Sequence, residues 1–208
     1  GGFYSTRYSD SEVVEGKYYV WTPEEVETLL GPAAAKTFCY VYDIAPGGNF
    51  EGQSIPNLPK TLKQCAAILG REVEELRAEL DASRQILLEV RQQRIPPGLD
   101  DKVLVSWNGL MIDAMSQAGA VLAEPRYKQA AIKAAEFILA QLQDSNGRLL
   151  HSWRQGRAQG SAFLDDYTCL ANAFVTLYEV TFDGRWIEEA VRLCDDFMAR
   201  FVDLDGAG

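Results

Sequence analysis

The chain has 208 residues, 47% of them hydrophobic, and a formal net charge of −10. That is enough apolar material for one large domain or two small ones with a proper core. The acidic balance counts against a nucleic-acid binder, which needs a basic face to displace counterions, and against an anionic membrane surface; no run is long and apolar enough to span a bilayer.

The chain opens Gly1-Gly2-Phe3-Tyr4 without a Met or a signal-type apolar core, so it is expected to be a piece of a longer protein. Residues 1–60 read as a lead-in of loops and short helices. Lys17-Tyr18-Tyr19-Val20-Trp21 is aromatic and β-branched and predicts a strand. Thr22-Pro23-Glu24-Glu25 is a helix start, with a capping hydroxyl, Pro at the first helical position and Glu three residues on. Gly31-Pro32 stops that helix, and a second spans Ala33 to Tyr42. Three glycines surround Asn49, Phe50 and Glu51. Such a loop either brings its backbone to a ligand or simply connects two helices.

Residues 61–99 form a long amphipathic region. A helical pattern runs from Leu62 to Leu69 and resumes after Gly70 to about Arg94, with Val73, Leu76, Leu80, Leu87 and Val90 on one face. After the Pro96-Pro97-Gly98 break comes Asp100-Asp101, then Ser106-Trp107-Asn108-Gly109. From Trp107 on, Leu110, Met111, Ala114, Met115, Ala118, Val121 and Leu122 recur at helical spacing and predict one buried face.

Residues 100–147 and 164–208 read as copies of one unit, related by a shift of 59 positions. Met111 lands on Leu170, Ala114 on Ala173, Ala131 on Ala190, Leu142 on Phe201, Asp144 on Asp203 and Gly147 on Gly206. Each copy is a pair of helices, about Leu104–Leu122 with Pro125–Leu142, and about Leu164–Val180 with Gly184–Phe201. Short breaks make each pair antiparallel, and repeated hairpins stack or close into a ring. Between them, Leu149 to Ala162 reads as a β-hairpin turning at Gln155-Gly156. The fold class is therefore mostly all-α: a partial α/α toroid of helical hairpins, with short β-hairpins in its loops, in one domain.

In such a ring the first helix of each pair lines the inside, and the helix starts meet at one mouth. That would gather Asp101, Trp107 and Asn108 with Asp165, Asp166 and Tyr167, under the strand that carries His151 and Trp153. Carboxylates beside aromatic platforms suit sugar chemistry: one acid for a leaving oxygen, one base, and flat faces for ring stacking. The candidate catalytic residues are Asp101, Asp165 and Asp166. The candidate ligand-binding residues are Trp107, Asn108, Tyr167, His151, Trp153, Asn49 and Glu51. The competing explanation is that acidic residues at helix starts are caps that suit the helix dipole. Dehydrogenase, phosphate-loop and GxSxG motifs are absent, and His151 is the single histidine. No cofactor and no His-ligated metal is expected. Cys39, Cys65, Cys169 and Cys194 form no CxxC pair; they are expected as reduced core residues, which favours a cytoplasmic protein.

Gly1-Gly2-Phe3-Tyr4-Ser5, Asp10-Ser11, Glu15-Gly16-Lys17-Tyr18-Tyr19-Val20-Trp21-Thr22, Gly48-Asn49-Phe50-Glu51-Gly52, Asp100 to Leu104, Ser106-Trp107-Asn108-Gly109-Leu110-Met111 and Leu164-Asp165-Asp166-Tyr167 together resemble the YyaL family, the thioredoxin-domain-bearing spermatogenesis-associated proteins. The resemblance implies a thioredoxin-like domain followed by an α/α toroid similar to the N-acylglucosamine 2-epimerase and six-hairpin glycosidase folds. No redox role carries onto these residues, which lack the thioredoxin-like part. Tyr8-Ser9-Asp10-Ser11 departs from the family's Asp-Ala-Asp-Ser and loses its first carboxylate. Epimerases of this fold use several histidines, against His151 alone here.

The expected function is binding or processing of a sugar or small molecule, by a carboxylate-based hydrolase or isomerase if an enzyme. The rival is a non-enzymatic scaffold supporting the thioredoxin-like domain of the full-length chain; a third option is a cation at the acidic mouth. A partial ring exposes apolar inner faces, so a homodimer of the chain is also expected.

Overall fold

A computed structural model of the chain describes residues 1–202. Two compact units are present: residues 7–99, and residues 1–6 together with the chain from Asp100 on. No helix among the described residues is long and apolar enough to cross a membrane.

The first 92 residues carry, in order, β1 (Thr6–Arg7), β2 (Asp10–Ser11), β3 (Val14–Glu15), α1 (Pro23–Leu30), α2 (Pro32–Tyr42), α3 (Leu62–Leu69) and α4 (Val73–Gln92). The start of α1 is a reciprocal capping box. The Thr22 hydroxyl accepts the Glu25 N–H at 3.2 Å, and the Glu25 carboxylate accepts the Thr22 N–H at 2.9 Å. Thr61 and Gln64 do the same for α3. Leu76, Leu80 and Leu87 of α4 pack with Val26, Phe38 and Val41. The strand expected at Lys17–Trp21 does not form. Tyr19 and Val20 N–H both donate to the Gly16 carbonyl. Arg94 donates to the Tyr18 and Val20 carbonyls at 3.2 and 2.8 Å and covers the Trp21 ring at 4.0 Å. The segment's backbone partners are thus a turn and a guanidinium, and Trp21 alone makes a strand-like bridge, to Ser54.

The remaining elements are β4 (Leu99–Asp100), β5 (Val103–Leu104), α5 (Val105–Val121), α6 (Pro125–Gln141), β6 (Leu150–Arg154), β7 (Arg157–Ser161), α7 (Leu164–Thr181) and α8 (Gly184–Phe201). The 59-residue shift maps the first residue of α5 onto that of α7, and the first of α6 onto that of α8. The repeat partners Asp203 and Gly206 lie outside the described residues. Within each copy the two helices pack as an antiparallel pair, and α5 packs along α7 while α6 and α8 back them. Inner helices side by side with outer helices behind them are a segment of an α/α toroid. Its core holds Ile112, Ile138, Leu142, Leu170, Phe174, Leu177, Trp186 and Leu193, all inaccessible to solvent. The hairpin turns at Gln155 and Gly156, both at positive φ, as a two-residue loop requires. Strand β5 adds a third member that the sequence pattern did not reveal.

The buried face of α5 is not the predicted one. Trp107, Leu110, Met111, Val121 and Leu122 are exposed. The helix instead buries Val105, Ser106, Asn108, Gly109, Ile112 and Ser116. The reason is backbone proximity. A Cβ on Gly109 would stand 2.7 Å from the Cys169 carbonyl carbon of α7, and one on Gly119 would stand 2.8 Å from the Lys128 nitrogen of α6. Small residues let α5 come this close to both neighbours; Trp, Leu or Met on that face would hold the helices apart.

Helix propensity alone would make Gly109→Ala stabilising by about 1 kcal/mol. The backbone contact reverses the sign, and a net loss of about 1–3 kcal/mol is expected from urea unfolding. A variant more stable than the parent would contradict this packing.

Candidate functional site

The strand order β5-β6-β7 sets the start of α5 beside the strand of His151, with Val103 opposite Trp153 and Leu104 opposite Ser152. Asp166 lies in the first turn of α7 and is fully buried. Its carboxylate accepts the Phe163 N–H at 2.9 Å, the Ser106 N–H at 2.9 Å and the His151 ring at 2.8 Å. One carboxylate therefore caps its own helix, caps α5 and orients an imidazole. Because a carboxylate only accepts, His151 Nδ1–H is the donor, and the neutral ring carries its lone pair on Nε2. The ring is partly exposed, its Nε2 has no partner among the described residues, and Phe163 meets it edge-on at 5.0 Å. An imidazole so held can take up a proton at Nε2 and return it.

The other predicted residues divide. Asp165 is exposed one position before Asp166, and Trp107 is 54% exposed at the start of α5. Asp101 does not join the pair: it is bound to Arg154 Nε at 2.5 Å. That partner lies on β6 three residues beyond His151. Burial raises the carboxyl of neighbouring Asp100, but hydrogen bonds and charge from Lys102 outweigh it and hold that group below its ordinary value.

Asn108 and Tyr167 are buried. The Asn108 amide accepts the Phe3 N–H at 2.7 Å and donates to the Phe3 and Leu104 carbonyls at 3.0 and 2.9 Å. It ties the Gly1-Gly2-Phe3 segment to α5, and the segment needs glycine: a Cβ on Gly2 would lie 2.7 Å from a Val103 methyl. Tyr167 meets Phe201 edge-on, and burial pushes its phenol up. Trp153 packs edge-on against Phe137 at 5.1 Å. Asn49 and Glu51 belong to the unit of residues 7–99. The Asn49 amide is spent on the Ile55 backbone, at 3.0 and 2.8 Å, and Glu51 is an exposed turn residue at positive φ.

The cysteines are free thiols. Burial first, then the charges of Asp165 and Asp166, push the Cys169 thiol above its ordinary value, the direction opposite to that of an activated cysteine. Among the described residues no three Asp, Glu, His or Cys side chains gather in a group that could hold a metal ion. Residues that sequence reasoning missed are Phe163, Arg154 and the Ser106 N–H. The first two carry no motif, and the third is a backbone group.

Human spermatogenesis-associated protein 20 is 31% identical over 242 aligned positions that take in the whole of this chain, and the mouse protein of the same name matches equally. The chain belongs to the spermatogenesis-associated protein 20 family. An uncharacterized protein of Caenorhabditis elegans is 33% identical over 94% of the chain. The chain spans about 31% of the length of these relatives. No family model matches. Among solved structures, cellobiose 2-epimerase from Bacillus thermoamylovorans aligns with 69% of this chain and 42% of its own, at a TM-score of 0.47 and 14% identity. That likeness is too distant to bear on activity.

Asp166→Ala would strip the acceptor from two backbone N–H groups and the imidazole at a fully buried position. A destabilisation of about 3–5 kcal/mol is expected in equilibrium unfolding. A loss below about 1 kcal/mol would mean that these bonds do not hold the two helix starts together.

Proposed function

We propose that this toroid segment carries a carbohydrate-processing site that works by proton transfer at His151. The observation that carries the reading is the 2.8 Å bond from His151 Nδ1 to the buried Asp166 carboxylate. It fixes the tautomer and turns Nε2 to the open side of the ring. The pairing of Asp101 with Arg154 argues against the two-carboxylate hydrolase alternative and favours an isomerase-type step.

In that step Nε2 takes the proton from the carbon next to the carbonyl of an open-chain sugar. The C–H electron pair moves into the new C=C bond as the carbonyl π pair moves onto oxygen, giving an enediolate. Return of a proton to that carbon regenerates the carbonyl and yields the same sugar or its epimer. Asp165, exposed beside the pair, is the second proton-handling group. Phe163, 60% exposed against the imidazole, offers a flat apolar face for a sugar ring. The family's resemblance to sugar epimerases and glycosidases is what selects sugars among small polar ligands.

Incubation of the protein with a panel of aldoses in D2O, followed by proton NMR at C2, tests the reading. At least one sugar should exchange, and His151→Gln should slow that exchange by about 100-fold or more. Absence of both exchange and calorimetric binding for every sugar overturns the proposal; exchange that survives His151→Gln removes His151 from it.

A further inference from the structure

The unit of residues 7–99 holds a cavity that the reading at His151 does not use. Its volume is about 440 Å³, and its walls come from α2, from α4 and from the segments of Trp21 and Pro56, all inside that one unit. Trp21, Phe38 and Tyr42 form the aromatic wall, with the Phe38 and Tyr42 ring centroids 4.4 Å apart. Leu87 and Leu88 of α4 form the aliphatic wall. A lining and size of this kind suit a small molecule with one flat apolar body.

Two guanidinium groups, of Arg84 and Arg91, reach the same cavity. The first is spent: Arg84 donates to the Tyr42 hydroxyl at 2.6 Å and pairs with the Asp81 carboxylate. Arg91 has no carboxylate partner among the described residues, and its Nε is shielded from solvent and donates to nothing. Its guanidinium lies over the rings of Tyr18 and Tyr19, 5.5 and 5.8 Å from their centroids. Stacking holds the cation in place without giving its N–H groups an oxygen acceptor. A shielded donor on a charged group is costly until an acceptor is supplied.

We propose that this cavity binds a small aromatic carboxylate, its carboxylate accepting from Arg91 and its ring lying against the aromatic wall. A guanidinium offers two parallel N–H groups to a carboxylate, which is the planar acceptor that Arg91 lacks. The charge count sets the ligand as a monoanion. With Asp81 matched to Arg84, one positive charge remains at the cavity, that of Arg91. The rest of the chain is acidic, at a net −10, so general attraction of anions would not bring such a ligand here; the pairing has to be local. The proposal uses no residue of the His151 site and stands whether or not that reading holds.

Isothermal titration calorimetry with benzoate, phenylacetate and indole-3-acetate, each beside its uncharged amide, tests it. At least one acid should bind one to one and about tenfold or more tighter than its amide, as a charge-assisted pair requires. Arg91→Gln should bring that acid down to the affinity of its amide. Because Arg91 also stacks on Tyr18 and Tyr19, this variant decides only if it melts with the parent; otherwise Gln85→Glu decides. Gln85 is exposed at the cavity wall, and a carboxylate there should weaken the acid by about tenfold and leave the amide unchanged. Binding of none of the acids overturns the proposal. Equal binding of acid and amide does so too, by making the cavity an apolar one without a use for Arg91. An acid preference that survives the deciding variant also overturns it, by placing the anion elsewhere.

Discussion

The arrangement of this unit turns on one carboxylate. Asp166 has no contact with water and three donors around it, from α7, from α5 and from the β-hairpin. A buried carboxylate without donors would be too costly to keep, so the three segments that supply them are held in mutual register. Helix-start capping and imidazole orientation are not competing readings here. The same two oxygens do both, which is why a substitution meant to probe chemistry also probes the fold.

The second constraint is distance between backbones. Gly109 and Gly119 let α5 approach one neighbour on each side, and the apolar residues are turned outward as a result. Hydrophobic burial usually decides which face of a helix is inside. Here close packing of small residues decides it, and the displaced apolar stripe becomes surface. Ser116 shows how the buried polar positions are accommodated: its hydroxyl donates back to the Ile112 carbonyl at 2.7 Å and needs no partner outside the helix.

Much of the fold was legible because it depends on local signals. Thr22 with Glu25, the Gln155-Gly156 turn and the 59-residue register each state their structure within a few residues or by self-comparison. The orientation of α5 was not legible, since Leu, Met, Ala and Gly occupy most of its circumference and the deciding contact comes from the Cys169 backbone. The Lys17–Trp21 strand failed for a similar reason: a guanidinium 74 positions away from Val20 takes its carbonyl. For the site, Asp166 and His151 were both nameable, but their pairing comes from the strand register. That same register carries Asp101 away to Arg154. Asn108 and Tyr167 were drawn in by the helix-start argument, which places residues at a mouth without saying which way they point.

The outward turn of α5 has an optical consequence. Of the four tryptophans, Trp21 and Trp186 are buried and Trp153 is half-buried against Phe137, whereas Trp107 stands in solvent. Three indoles therefore emit from apolar surroundings and one from water. A collisional quencher added to the native protein reaches Trp107 first. The red edge of the intrinsic fluorescence is thus a gauge of a single helix flank, while the blue edge follows the integrity of the two cores.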